Sequence, residues 1–160
     1  MNKLEELEKK YKELGEEIER LKCKSAERWR AECGENYYFI DDCGEVYPDE
    51  DEDLDSDDHR YLTGNYFKNE EEAEKVLNKI LIYNKLRNLA LRLNKGEAIN
   101  WNDNNQKKWH ILFDTSAKRL DYEYNLTYKC LATIYCLDPD FLDRALDEIG
   151  EENLMKLFEE

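Results

Sequence analysis

From Asn65 to Ile80 the chain, NYFKNEEEAEKVLNKI, reads as a strand running straight into a capped helix, and the same plan returns 69 positions later. Sliding the sequence on itself pairs Tyr66 with Tyr135, Asn69 with Asp138, Glu74 with Asp143, Lys75 with Arg144, Leu77 with Leu146 and Ile80 with Ile149. The first helix has local reasons to start. Asn69 is a good N-cap, Glu72 three positions on completes a capping box, and acidic residues in the first turn meet the positive end of the helix dipole. Ala73, Val76, Leu77, Ile80, Tyr83, Leu86, Ala90 and Leu93 then form a broad apolar face, and Lys95 with Gly96 supply the stop, so the helix is expected to end near Leu93. In the echo, Pro139 follows the Asp138 cap at the first helical position, where its missing N–H costs nothing. That helix is expected to end at Gly150, with a last short helical piece over 152–158.

Each predicted helix is preceded by strand signals. Residues 36–47, NYYFIDDCGEVY, read as a hairpin around Gly44, and a third strand is expected over Tyr61–Phe67. The second half offers strands at 109–114, 119–124 and 128–136, with a turn at TSAK. The pattern predicts an α+β domain over 28–160 built from two β-β-β-α units, an internal repeat of 36–96 and 109–150. Chance is the alternative, since only three of sixteen paired positions in 65–80 are identical. The first strands align at an offset of 73 and the helices at 69, so the first half carries four extra residues between them. The acidic run lies in that interval.

Ahead of the domain, Leu4, Leu7, Tyr11, Leu14, Ile18 and Leu21 recur at alternating spacings of 3 and 4, the a/d seam of three heptads. This predicts an N-terminal coiled-coil helix over 1–27 and a homodimer. Charges at the flanking positions lean towards a parallel pair without settling it, Gly15 weakens the middle, and an amphipathic helix folded back on its own domain is the alternative.

The net charge of -15 argues against direct nucleic-acid binding and against an anionic membrane surface, because phosphate contacts need clustered Lys and Arg. It favours a basic partner. The charge is uneven: 25–58 sums to -12, 138–160 to -7, 1–24 to zero and 59–137 to +4. Eight of the ten residues from Asp49 to Asp58 are acidic, and repulsion predicts a solvated loop there. Asp49, Glu50, Asp51, Glu52, Asp53, Asp55, Asp57 and Asp58 are therefore the candidate partner-binding residues, able to occupy a groove lined for DNA or RNA; simple solvation is the bland reading. The alternating aspartates fail as a calcium loop, since Leu54 and Arg60 stand where Gly and Glu are required.

No catalytic or metal-binding residues and no cofactor are expected. His59 and His110, the two histidines, lack partners at metal-ligand spacing, and His110 reads as a packed or edge residue of a strand. Cys23, Cys33, Cys43, Cys130 and Cys136 make an odd set with no C-x-x-C pair, which predicts reduced thiols in a cytoplasm. Cys136 takes the place of Phe67 in the repeat and is expected in the core. Trp29, Trp101 and Trp109 are expected in the core, with partner anchoring as the alternative. No signal peptide and no membrane-spanning stretch is evident.

ERW (27–29), GENYYFID (34–41), GEVY, GNYF, EEEAEKVL, NKG, WNDNNQKKW and the closing EIGEENL resemble stretches in a group of small, largely uncharacterised accessory proteins encoded by phages and prophages of Gram-positive bacteria. Ala31 stands where that pattern has Pro, and Asn69 where it has Thr. The resemblance implies a host-takeover or counter-defence factor acting in the host cytoplasm, anti-CRISPR proteins among them, and carries no functional residue with it. With the charge, it leads to an expected function: a non-enzymatic inhibitor that binds a host defence or nucleic-acid-handling protein, by acidic nucleic-acid mimicry. The competing expectation is an assembly protein in which the coiled coil is the working part.

Overall fold

The computed structural model describes residues 10–12, 14–15 and 28–159. The chain divides into two compact units, Met1–Ala73 and Glu74–Glu160. The first holds β1 (Asn36–Ile40), β2 (Val46–Glu50) and α1 (Asp55–Thr63), and the division falls in the first turn of α2 (Glu70–Leu93). The second holds β3 (Lys108–Asp114), β4 (Arg119–Asn125), α3 (Phe141–Ile149) and α4 (Glu151–Met155). The sheets are two separate antiparallel hairpins, β1–β2 and β3–β4.

Two expectations are corrected. Among the described residues there is no N-terminal coiled coil: helix in that region is confined to residues 10–12 and 14–15, far short of three heptads, and Tyr11 and Leu14 stand exposed. The described helical residues are fewer than the length that makes an isolated helix stable, and Gly15 among them is a poor helix former. Leu4, Leu7, Ile18 and Leu21 lie outside the described residues, and the homodimer argued from that seam loses its basis. The β-β-β-α plan is also wrong, because neither third strand forms. Residues 61–63 close α1, and only Phe67 bridges to Tyr38; in the second unit Cys136 alone bridges to Trp109. A single antiparallel bridge stands in each place where a strand was expected.

The chemistry of 55–64 explains the first substitution. Asp55, Asp57 and Asp58 occupy the first turn of α1 and Arg60 its last, matching the dipole at both ends. Gly64 then takes the left-handed conformation (φ 86°), and the Asn65 N–H donates to the Arg60 carbonyl at 2.9 Å. The chain next pairs with β1 by a side chain rather than a strand. Asn65 Oδ1 accepts from the Ile40 N–H and Nδ2 donates to the Ile40 carbonyl, both at 2.7 Å. We expect Asn65→Ala to destabilise the first unit by about 1–3 kcal/mol in urea unfolding, because both Ile40 groups lose their partner.

Asn69 caps α2 as the sequence predicts, the Glu72 N–H donating to Asn69 Oδ1 at 2.9 Å, but Glu72 reaches back to the Lys68 N–H, one residue before the cap amide that a capping box uses. At the other end Asn94 Oδ1 accepts from the Leu137 N–H at 2.8 Å. The second unit's core gathers Ile82, Leu86, Leu89, Leu120, Phe141 and Ile149 among its buried residues, and Cys136 is among them. Asp138 accepts from the Asp140 N–H at 2.9 Å, but Pro139 and Asp140 form a turn and α3 begins at Phe141. The first unit's core is small, with Ala31, Tyr37 and Tyr66 buried and Trp29, Phe39 and Tyr61 packed around them. So few apolar groups leave polar bonds to carry much of its structure.

Candidate functional site

The acidic run is not a solvated loop. Asp49 and Glu50 end β2, residues 51–54 form a tight turn, and the rest opens α1. Asp51 and Asp57 are buried, and a buried carboxylate needs a full set of donors. Two tyrosines provide the centre. Tyr37 from β1 and Tyr66 from the bridge segment stack nearly parallel, ring centroids 3.9 Å apart. Tyr37 donates to Asp57 Oδ1 at 2.8 Å; Tyr66 donates to Asp51 Oδ2 at 2.7 Å and accepts from the Ala31 N–H at 3.2 Å. The remaining lone pairs hold the turn: Asp51 Oδ1 accepts from the Asp53 N–H at 3.0 Å, and Asp57 Oδ2 from the Glu52 and Leu54 N–H groups at 3.1 and 3.0 Å.

Two arginines balance these charges, and a third holds the backbone beside them. Arg30 donates to Asp51 at 3.0 Å and to Asp58 at 2.7 Å, and Arg60 donates to Asp49 at 2.5 Å and to the Tyr37 hydroxyl. The Arg60 guanidinium lies 3.6 Å from the Phe39 ring centre, a cation–π contact that anchors it to the hairpin. Arg28 donates to the Tyr61, Gly64 and Tyr66 carbonyls, so it closes the end of α1.

These bonds shift the titrations. Hydrogen bonds from Arg30, with Tyr66 adding, lower Asp51 to about 2 against the cost of burial. Burial pushes Asp57 up, but the bonds from Tyr37 and from the Leu54 and Glu52 amides outweigh it and hold the group below the ordinary value. Burial and the neighbouring carboxylates raise Tyr37 to about 12 and raise Tyr66 as well.

The eight candidates therefore separate. Asp51 and Asp57 face inward, Asp49 is half-buried against Arg60, and Asp58 is tied to Arg30. Glu50, Glu52, Asp53 and Asp55 are exposed, and Asp53 sits in the left-handed region at φ 56°. Because the amides of Glu52, Asp53 and Leu54 are each held by a buried carboxylate, the outward carboxylates at 52 and 53 stand on a fixed turn. Sequence reasoning missed Arg30, Arg60, Tyr37 and Tyr66. A signal was available: Arg28 and Arg30 are the only cations in a segment summing to -12, and isolated cations among so many acids are expected to be paired.

Elsewhere, His59 is exposed, while His110 and Cys136 are buried; Cys33, Cys43 and Cys130 are exposed, and Cys23 lies outside the described residues. Trp29, Trp101 and Trp109 are half-buried. Among the described residues one group of ligand atoms comes within reach of a shared metal, Asp41, Asp42 and Cys43 at the β1–β2 turn. Asp41 Oδ1 already accepts from the Cys43 and Glu45 N–H groups at 2.9 and 2.8 Å, so it serves the turn. No family, curated protein or solved structure matches the chain. No helix among the described residues is long and apolar enough to cross a membrane.

Proposed function

We propose that the protein is a phage-encoded, non-enzymatic inhibitor that docks its acidic turn into an Arg- and Lys-lined nucleic-acid groove of a host defence or nucleic-acid-handling protein. One observation carries the reading: the turn that presents Glu52 and Asp53 is clamped by Asp51 and Asp57, and Glu50 and Asp55 flank it exposed. A fixed array of like charges forfeits little entropy on binding, and its field speeds encounter with a basic partner. The clamp also sets how the idea must be tested, because removing all eight carboxylates would remove the scaffold with the surface.

The test is competition between the protein and a fluorescent DNA duplex for nucleic-acid-handling enzymes of a Gram-positive host. The parent protein should displace the duplex at low salt and do so less well as screening rises. The variant E50Q/E52Q/D53N/D55N, checked for an unchanged far-UV spectrum, should displace it at least tenfold less well. Equal displacement by parent and variant would exclude this turn as the docking surface.

A further inference from the structure

The two faces of the β3–β4 hairpin differ. Ile111, Phe113 and Leu120 point into the second unit's helical core, so Lys108 and His110 point to the other side. That side is nonetheless covered. Lys108 is fully buried, and its ammonium donates to the Asp103 carbonyl at 2.7 Å and the Leu126 carbonyl at 3.0 Å, joining the two segments on either side of the hairpin. Tyr135 lies with its ring centre 5.3 Å from that of His110 and 4.9 Å from that of Trp101, and its hydroxyl accepts from the Cys130 N–H at 2.8 Å. His110 is 7% exposed; its Nε2 faces Glu123 Oε1 at 3.5 Å, and its Nδ1 has no hydrogen-bond partner.

We propose that His110 is a pH-sensitive latch whose protonation frees the segment 126–135 from this face of the hairpin. An imidazolium must carry N–H on both nitrogens, so protonation puts a second donor and a positive charge at a buried site, where the Lys108 backbone gives only partial relief. The groups facing it are few. Among the described residues, Lys108 on β3 is a second buried cation two residues away, Glu123 on β4 is the facing carboxylate, and burial raises the Tyr135 hydroxyl, so it offers no negative charge at neutral pH. Asp103 supplies its carbonyl to Lys108, while its carboxylate accepts from the Asn105 N–H at 2.8 Å. Glu123 is 60% exposed, so solvent screens its attraction.

The segment is lightly held. Lys108 grips its start at Leu126, the Trp109–Cys136 bridge fixes its far end, and between them Tyr128 and Leu131 are exposed and Ala132 is left-handed (φ 57°). Ala132, Thr133 and Ile134 also wall an apolar cavity of about 310 Å³, faced by Leu86, Ile111 and Leu154. Freeing the segment opens that cavity. The sign follows from burial, which lowers the His110 pKa by more than Glu123 and the backbone hydrogen bond to Lys108 raise it. A depressed histidine contributes its full stability above the unfolded value near 6.5, and that contribution is lost as pH falls through the folded value. The latch is closed at neutral pH and opens in mild acid.

Amide hydrogen exchange over 126–135, corrected for intrinsic rates, and binding of an apolar dye test this at about pH 7.5 and about pH 5. Exchange there should quicken at least tenfold in acid and dye fluorescence should rise, with the far-UV spectrum unchanged. H110F should abolish the step, and E123Q should move its midpoint to lower pH. Equal protection at the two pH values in the parent, persistence of the step in H110F, or an unmoved midpoint in E123Q would each overturn the proposal.

Discussion

Replacing Asp57 by Ala is expected to unfold the first unit, at a cost of about 3–5 kcal/mol. The carboxylate is the sole described acceptor for the Tyr37 hydroxyl proton and for the Glu52 and Leu54 amides, so its loss strands three donors at once. Asp51→Ala should cost a similar amount by a different route, leaving Arg30 with Asp58 as its remaining close partner and Tyr66 without an acceptor. With a described core built on Ala31, Tyr37 and Tyr66, and Phe67 and Ala73 buried besides, the unit has little apolar burial in reserve. The neighbours make the contrast sharp, since Glu52→Gln and Asp53→Asn alter exposed side chains while the held backbone amides remain, and should change stability by no more than about 0.5 kcal/mol. Urea unfolding followed by amide exchange in residues 31–67 separates the two classes. Similar effects at positions 51, 52, 53 and 57 would contradict the division into inward and outward carboxylates.

The second large effect is a stability plateau bounded on both sides. Asp51 is lowered to about 2 and Asp57 is lowered as well. Groups with depressed folded values contribute stability that is complete above the unfolded carboxylate value near 3.9 and is lost as pH falls through the folded value. For Asp51 alone that amounts to roughly 2–3 kcal/mol, lost between about pH 4 and about pH 2. The tyrosines bound the other side. Tyr37, raised to about 12, and Tyr66, also raised, favour the fold fully below the unfolded value near 10 and cease to do so as pH climbs through the folded values. The first unit should therefore be most stable from about pH 4 to about pH 10 and lose stability progressively outside that range. The His110 latch, in the second unit, should open within this plateau, which keeps the two effects distinct. Chemical unfolding as a function of pH, read separately on residues 31–67 and 108–136, measures both.

What was legible in the sequence was what local chemistry decides. Asn69, Glu72 and the apolar face to Leu93 specify α2 without help from the rest of the chain, and the aromatic run with Gly44 specifies the first hairpin. The third strands were not legible because their aromatic and β-branched residues are used differently: Tyr66 stacks on Tyr37 and Tyr135 packs at a tilt against His110, each beside one isolated bridge. Helix α1 was hidden by its own charge. DSDDHRYLTG carries acids first, Arg60 late and a closing glycine, a helix grammar that repulsion between so many carboxylates obscures when the run is taken as a whole. The heptad seam misled in the opposite direction, since periodicity alone does not supply the length or partner a coiled coil requires.

The site was half legible. Composition located the carboxylates, but which of them turn inward depends on Tyr37, Tyr66, Arg30 and Arg60, contributed by β1, the bridge segment, the strandless stretch before β1 and α1. Local reading cannot foresee that convergence. It leaves the acidic run with two roles, in which Asp51 and Asp57 build the turn and Glu50, Glu52, Asp53 and Asp55 are presented by it.

The most direct test of that division is a carboxyl-carbon NMR titration of Asp51 and Asp57 in the intact chain. Neither resonance should move while the first unit stays folded as pH falls through the ordinary carboxylate range, with Asp51 unprotonated until about pH 2. If both aspartates titrate at ordinary values with the unit still folded, they are not its buried anchors, and the division of the acidic run is wrong.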